Sequence, residues 1–311
     1  MGNDSANAPC RPARSADFEG NLMTNLYERE DAYIPRVAAI HDLCGYGKCS
    51  LGVAIPVLSA AGCDVCPVPT GLFSSHTAFP GWYMHDTTDI LGDYLAAWAG
   101  IGVELDAVYS GFLGAPEQVD IIKQVWETYP KALRVVDPVM ADHGKVYPTY
   151  TPELCDAMAE LACGADILTP NLTEAAIILG EPIGEDWAGT DISDEEAHRL
   201  VDALVAKGAK HVVLKGIQRE GETSIRNFVG GEGMDTVEVH NEYVPYLLHG
   251  TGDLYASCLM AAVMAGRSLE EAVRFAGDFV HDAMIVSAQQ PAFQARGVSF
   301  EPLLGKVCEL L

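Results

Sequence analysis

The sequence is short of positive charge. Of its 311 residues only 19 are Lys or Arg, against 44 Asp and Glu, which leaves a formal net charge of -25. Nucleic acid and anionic membrane both require a basic footprint, so both are excluded as principal partners. Long apolar runs are also missing: the uncharged stretch 254–266 is too short to span a bilayer. Paired cysteines are lacking too. The nine stand at 10, 44, 49, 63, 66, 155, 163, 258 and 308, an odd number, and no second pair joins Cys63 and Cys66 to complete a zinc site. Free, mostly buried thiols in a reducing cytoplasm are the expectation. No two histidines stand four apart, which removes the usual helical zinc-hydrolase signature. His85, His198, His211 and His240 read as surface or structural residues.

What is present suits one large α/β unit. Hydrophobic residues make up 49% of the chain and charged residues 20%, enough to bury a sizeable core. Residues 1–33 are polar and aperiodic and read as a flexible tail, 34–290 as the folded domain, and 291–311 as a C-terminal extension. Short β-branched runs over 36–40, 64–69, 107–110, 133–136, 166–169 and 211–214 alternate with helical patterns over 50–61, 88–100, 116–129, 152–163, 173–179 and 194–207. That alternation predicts βαβ units, hence a mostly parallel central sheet covered by helices on both faces. A hairpin over 223–229 and 236–240, then helices over 252–265 and 269–288, complete the pattern. There is no internal repeat.

In open α/β sheets ligands sit beyond the carboxyl ends of the strands. The residues there are polar: His41-Asp42, Ser74-Ser75-His76-Thr77, Ser110-Gly111, Asp137-Pro138, Thr169-Pro170-Asn171 and Lys215-Gly216. Gly250-Thr251-Gly252-Asp253 opens a helix. Two glycines there free backbone amides to converge on an anion, and Asp253 is either a helix cap or the acceptor of a proton from an attacking hydroxyl. Asp137, ending a buried strand, needs a cation or donors. Asn171 and Glu174, three apart, form a capping box, hold a metal through Glu174, or do both. These are the parts of a phosphoryl-transfer site: carboxylates for Mg²⁺, amides for phosphate, a base for the acceptor. The segment 45–50, Gly-Tyr-Gly-Lys-Cys-Ser, imitates a P-loop and fails it twice, at Asp42 and Cys49; Ser50 also spoils a dinucleotide fingerprint.

Phe73-Ser74-Ser75-His76-Thr77, Ser110-Gly111-Phe112-Leu113-Gly114, Asp137-Pro138-Val139-Met140, Thr169-Pro170-Asn171-x-x-Glu174 and Gly250-Thr251-Gly252-Asp253 follow the order and spacing of the pyridoxal kinases. The chain resembles these, and among them the bacterial group called pyridoxamine kinases, within the ribokinase-like superfamily. The resemblance implies a three-layer α/β/α fold without a separate lid domain. It implies ATP-dependent phosphorylation of the 5′-hydroxyl of a B6 vitamer, with Mg²⁺ and, in some members, a monovalent cation such as K⁺. Carried over residue by residue, Asp253 would be the base and Gly250, Thr251 and Gly252 the anion hole. Asp137, Asp142, Tyr147, Thr169, Asn171, Glu174, Lys215 and Gly216 would serve nucleotide and metal, with Asp137 and Glu174 on the metal. Asp42, Gly45, Phe73, His76, Thr77 and Phe112 would line the vitamer pocket. A homodimer is implied by analogy.

Three positions depart from the common pyridoxal kinase pattern: Asp42 where many have Ser, Ser75 where many have Asn, and Phe112 where many have Tyr. A carboxylate at 42 suits the ammonium of pyridoxamine, and a preference for that vitamer is the expectation. The short span from Ile40 to Asp64 leaves no room for the β-lid of sugar kinases. Two alternatives stay open: a hydroxymethylpyrimidine-type kinase, and a non-catalytic vitamer-binding protein on the same fold.

Overall fold

The structure is a computed structural model that describes residues 25–182 and 192–311. The first strand, β1 (Arg36–Cys44), lies inside a nine-stranded sheet, third from one edge. It pairs in parallel with β2 (Asp64–Phe73) on one side and β4 (Ala107–Ser110) on the other. Beyond β4 follow β5 (Leu133–Val136), β8 (Ile167–Leu168) and β9 (His211–Gln218), all parallel. Antiparallel strands close both edges: β3 (Met84–Asp86) beside β2, and the hairpin of β10 (Ser224–Gly231) and β11 (Met234–Glu242) beside β9. A small hairpin, β6 (Ala141–Asp142) with β7 (Lys145–Val146), stands apart from the sheet.

Both faces of the sheet are buried, which is why its strands read as apolar runs rather than alternations. Val37, Ala39, Tyr109 and Val135 face helices α1 (Leu51–Ala60), α7 (Thr251–Met264) and α8 (Leu269–Ser287). Ala38, Ile40, Val108 and Val136 face α2 (Thr88–Gly100), α3 (Pro116–Thr128), α4 (Pro152–Ala162), α5 (Leu172–Leu179) and α6 (Asp194–Lys207). Local chemistry sets many helix starts: Thr151, Asn171, Ser193 and Ser268 each cap the next helix by accepting a backbone N–H.

The predicted α/β architecture is the observed one, with adjustments. β1 and β2 run to Cys44 and Phe73, four residues past the predicted 36–40 and 64–69, so His41, Asp42 and Phe73 sit on strands rather than after them. β3 and the β6–β7 hairpin were not expected, being only two or three residues long and set by tertiary pairing. The C-terminal extension is also built. After α8 the chain forms α9 (Phe293–Arg296), a 3₁₀ turn (Glu301–Leu303) and α10 (Leu304–Cys308). Residues 1–24 of the predicted tail lie outside the described residues, but 25–33 are docked. Arg29 donates to the carbonyls of Ala61 (2.8 Å) and Gly62 (3.0 Å), and the Tyr33 hydroxyl donates to Asp106 (2.9 Å). No helix among the described residues is long and apolar enough to cross a membrane.

Strand order reverses at β1, with β2 on one side and β4 on the other. Such a switch point opens a crevice at the carboxyl ends of the strands.

Candidate active site

Helix α7 begins at this crevice. Gly250 sits in the left-handed region (φ 84°), and a Cβ there would overlap the carbonyl oxygen of Lys48, so the position requires glycine twice over. Around Gly252 the space is open: a Cβ there would meet no atom within 4 Å. That leaves room beside the first turn of α7, whose leading amides have no partner within the helix, as an anion cradle requires. Thr251 ties the turn down by donating to the Leu248 carbonyl (3.1 Å). Gly250, not Asp253, is the N-cap, and no side chain caps this helix, which removes the capping explanation for Asp253. Asp253 is buried, has the backbone N–H of Ser50 beside it, and keeps Oδ1 without a partner. Burial, then the charges of Asp137 and Asp42, push its carboxyl up to about 7.

Facing it, Asp42 is only 4% exposed, and burial pushes its carboxyl up to about 6 despite a hydrogen bond from the Ser50 hydroxyl. Ser50 thus lies beside both carboxylates and favours the charged form of each, its amide toward Asp253 and its hydroxyl toward Asp42. It precedes α1 at a positive φ of 52° and makes no side-chain cap of its own. The sequence reading missed it, because a left-handed serine leaves no pattern in composition or period; the failed P-loop was the one local hint.

The rest of the wall is aromatic. Gly45 donates to the Phe73 carbonyl (2.8 Å), and the Phe73 ring meets Phe112 edge-on at 5.5 Å and Trp82 at 5.7 Å. Phe112 in turn meets Tyr150 at 5.7 Å. His76 is buried, stacks on His249 at 4.6 Å, and its Nε2 lies 3.0 Å from the Ala295 carbonyl oxygen, so the C-terminal extension closes this side. Thr77 is exposed on the loop after β2. Trp82, Tyr150 and His249 join the predicted set; single aromatic and histidine residues outside a motif carried no signal.

The remaining predicted residues gather across the crevice, around Lys215. Its ammonium donates to Asp137 Oδ1 (2.5 Å) and to the Thr169 carbonyl (2.5 Å), and lies 3.8 Å from Glu174 Oε2. Burial lowers the Lys215 pKa, but Asp137 and Glu174 outweigh it and leave it raised. Asp137 also accepts from the Thr169 hydroxyl (2.9 Å). Asn171 and Glu174 form the reciprocal capping box of α5, at 2.9 and 2.8 Å, while Asn171 Nδ2 donates to the Ala141 carbonyl (2.8 Å). Burial raises the Glu174 pKa against the pull of Lys215. Asp142 is half-exposed on β6 and accepts from the His143 N–H (2.8 Å); Tyr147 follows β7, its N–H on the Met140 carbonyl (2.9 Å). Gly216 is left-handed (φ 81°) and donates to Asn227 Oδ1 (3.2 Å). Among the described residues, no three His, Cys, Asp or Glu side chains stand together as a ready-made metal cage.

A family profile described as phosphomethylpyrimidine kinase matches residues 58–296, which takes in most of these strand ends and the whole Gly250–Asp253 turn. The chain belongs to that family. Among curated relatives, the pyridoxal kinase PdxY of Histophilus somni (strain 2336) is 30% identical over 260 residues, covering 77% of this chain and 84% of that protein. The PdxY of Pasteurella multocida is 29% identical over 276 residues, covering 83% and 91%. Of solved structures, a phosphomethylpyrimidine kinase-type protein of Bacteroides thetaiotaomicron crystallised with pyridoxal has a TM-score of 0.83 and 33% identity, covering 88% of this chain and 96% of that one. Pyridoxal kinase of Lactobacillus plantarum has a TM-score of 0.81 and 28% identity, covering 89% and 98%. Within the family the chain therefore groups with the pyridoxal kinases of the ribokinase-like superfamily, phosphotransferases with an alcohol acceptor.

Proposed function

We propose that this kinase transfers the γ-phosphoryl group of ATP to the 5′-hydroxyl of a B6 vitamer, with Asp253 as the general base. One observation carries the reading. Asp253 Oδ1 is buried and unpartnered, burial pushes its carboxyl up to about 7, and it stands in the first turn of α7 beside the open space at Gly252. A base poised near neutrality beside an anion cradle is what proton removal coupled to phosphoryl transfer needs. The vitamer ring is placed against Phe73, Phe112 and Tyr150, its hydroxymethyl group toward Asp253. As the hydroxyl oxygen attacks phosphorus in line, its proton passes to Oδ1, and the amides of Gly250 to Gly252 receive the charge gathering on the phosphoryl oxygens. Lys215 faces the phosphate side.

Asp137 and Glu174 fit Mg²⁺ of the kind that arrives with a nucleotide, which needs one or two carboxylates while phosphate oxygens and water fill the other positions. Bound there, the ion would neutralise charge on the phosphates. Asp142, Asn171, Thr169, Tyr147 and Gly216 complete the nucleotide side in this reading. Asp42 supplies the finer preference: no ion pair among the described residues reaches it, and a buried, unpaired carboxylate favours pyridoxamine, whose ammonium would meet it, over pyridoxal. A cytoplasmic homodimer belongs to the same reading. It is supported by exposed Leu72, Tyr83, Ile90, Tyr94 and Ile101 along β2, β3 and α2, and sedimentation of the purified protein tests it.

ADP release with pyridoxamine, pyridoxal, pyridoxine and hydroxymethylpyrimidine, each with and without Mg²⁺, tests the function. Turnover of vitamers with Mg²⁺ is the expected result. Turnover of hydroxymethylpyrimidine alone would replace the substrate, and no ADP with any acceptor would leave a binding protein.

A further inference from the structure

Beyond Lys215, at the antiparallel edge of the sheet, two asparagines are buried. Asn227 on β10 is 2% exposed and Asn241 on β11 is 4% exposed, on a sheet face they share with the core residues Val229 and Val239. Burying two side-chain amides among valines is costly unless they are hydrogen-bonded. Here the bonds all run one way. The Gly216 N–H donates to Asn227 Oδ1 (3.2 Å), and Asn227 Nδ2 donates to Asn241 Oδ1 (3.1 Å). Asn241 Nδ2 then donates to the Arg274 carbonyl (3.1 Å) and to Asp278 Oδ1 (2.8 Å), both on α8. The fold accommodates this row at both ends. Lys215 and Gly216 of β9 together stand opposite Asn227 alone, a bulge between the pairs Leu214–Phe228 and Ile217–Arg226. At the bulge Gly216 is left-handed (φ 81°), and its amide meets a side chain rather than a strand carbonyl. At the far end Gly277 lies in the middle of α8, where glycine weakens a helix; a Cβ there would overlap the Asn241 side chain.

We propose that Asn227 and Asn241 are positioning residues for the nucleotide, which fix the Lys215–Gly216 bulge in its binding conformation before ATP arrives. Their role rests on the kinase reading, which places Lys215 and Gly216 on the nucleotide side.

The physical reason is preorganisation. Glycine has the widest backbone freedom of any residue, and a loose Gly216 would have to be ordered at the moment of binding. The asparagine row removes that freedom in advance. Each side-chain amide is oriented by the next: turning Asn227 over would set its NH₂ group against the Gly216 N–H, and a carboxylate on α8 anchors the end of the row. Lys215 is steadied with it. Its backbone N–H donates to the Pro170 carbonyl (2.9 Å) on one side and Gly216 is held on the other, while its ammonium reaches Asp137, Thr169 and Glu174. Among the described residues neither asparagine hydrogen-bonds to Asp42, Asp253 or the aromatic wall, so the effect should fall on the nucleotide alone.

Calorimetric titration of the full-length protein with ADP and Mg²⁺, beside KM for ATP, KM for pyridoxamine and kcat, tests this. Asn227→Leu, close in volume but without the acceptor, should bind ADP about tenfold more weakly and raise KM for ATP by a similar factor. Its kcat at saturating ATP and its KM for pyridoxamine should stay within about twofold of wild type. Asn241→Leu leaves the Gly216 bond but frees Asn227 to turn, and should weaken ADP by about threefold. Unchanged ADP affinity in folded Asn227→Leu, or an equal loss in KM for pyridoxamine, would overturn the proposal. A second measurement needs no variant. In the ligand-free wild type the Gly216 amide should exchange with deuterium as slowly as its ladder neighbours on β9, and exchange at the rate of an open turn would equally overturn it. If the wild type binds no ADP, the kinase reading fails, and the exchange rate at Gly216 still decides whether the asparagines hold the bulge.

Discussion

The two sides of the crevice bury carboxylates in opposite ways. On the nucleotide side Asp137 and Glu174 share Lys215, a cation from their own chain. On the vitamer side Asp42 and Asp253 have only Ser50, a neutral donor, and both are pushed well above the ordinary carboxylate range. The difference shows where the chain supplies its own cation and where that place is left for the substrate. The internal cation sets where Asp137 and Glu174 sit, ready to meet a metal and phosphates, although burial still pushes the Glu174 carboxyl up to about 8. One left unpaired titrates near neutrality, which suits a base and a cation-selective contact.

Removing the internal cation should have the largest effect. Lys215→Met strands two buried carboxylates and is expected to lower stability by about 3 to 5 kcal/mol, read as a drop in the denaturant midpoint. A loss no larger than that of Lys306→Met, a solvent-facing pair partner, would mean the two sides are not different after all. Next comes Asp253→Asn, which keeps shape and removes the base; kcat should fall about 100-fold or more with KM for the vitamer little changed.

The pH dependence sharpens the same contrast. Asp253 must be ionised to accept a proton, so kcat/KM should rise with pH and level off above about 7. Stability runs the other way. Carboxyls at about 6 and about 7 in the folded protein, against 3.8 for an ordinary aspartate, bind more protons folded than unfolded. They therefore favour the ligand-free fold at low pH, and that contribution is lost as pH rises through those values. Thermal scans of wild type and Asp42→Ser over this window should converge at the acid end and separate at the alkaline end, with the variant the more stable. The smallest effect expected is on substrate choice: Asp42→Ser should lower the ratio of kcat/KM for pyridoxamine over pyridoxal by roughly tenfold, and an unchanged ratio would remove Asp42 from the specificity account.

Much of this was legible without coordinates. Alternating β-branched and helical segments gave the sheet, because a parallel sheet buried on both faces must be written as apolar runs. Gly250 and Gly252 were recognisable for what backbone amides need, and the structure brings Asp253 to that turn. Other parts were not legible for stated reasons. Asn171 and Glu174 read equally as cap and as ligand, and the capping box is now observed, which leaves a metal role compatible. Residues 25–33 looked like tail because they dock through scattered contacts, Leu26 and Tyr27 on the core and Arg29 and Tyr33 through hydrogen bonds, rather than through a period.

The sequence alone determined the fold class, the kinase resemblance and the motif residues, since all three depend on periodicity and on spacing along the chain. Only the tertiary structure decided which charges share a counterion. It joined Lys215 to Asp137 across 78 positions and placed Ser50 beside both Asp42 and Asp253. Those contacts depend on burial and on distance through space, neither of which is ordered along a chain.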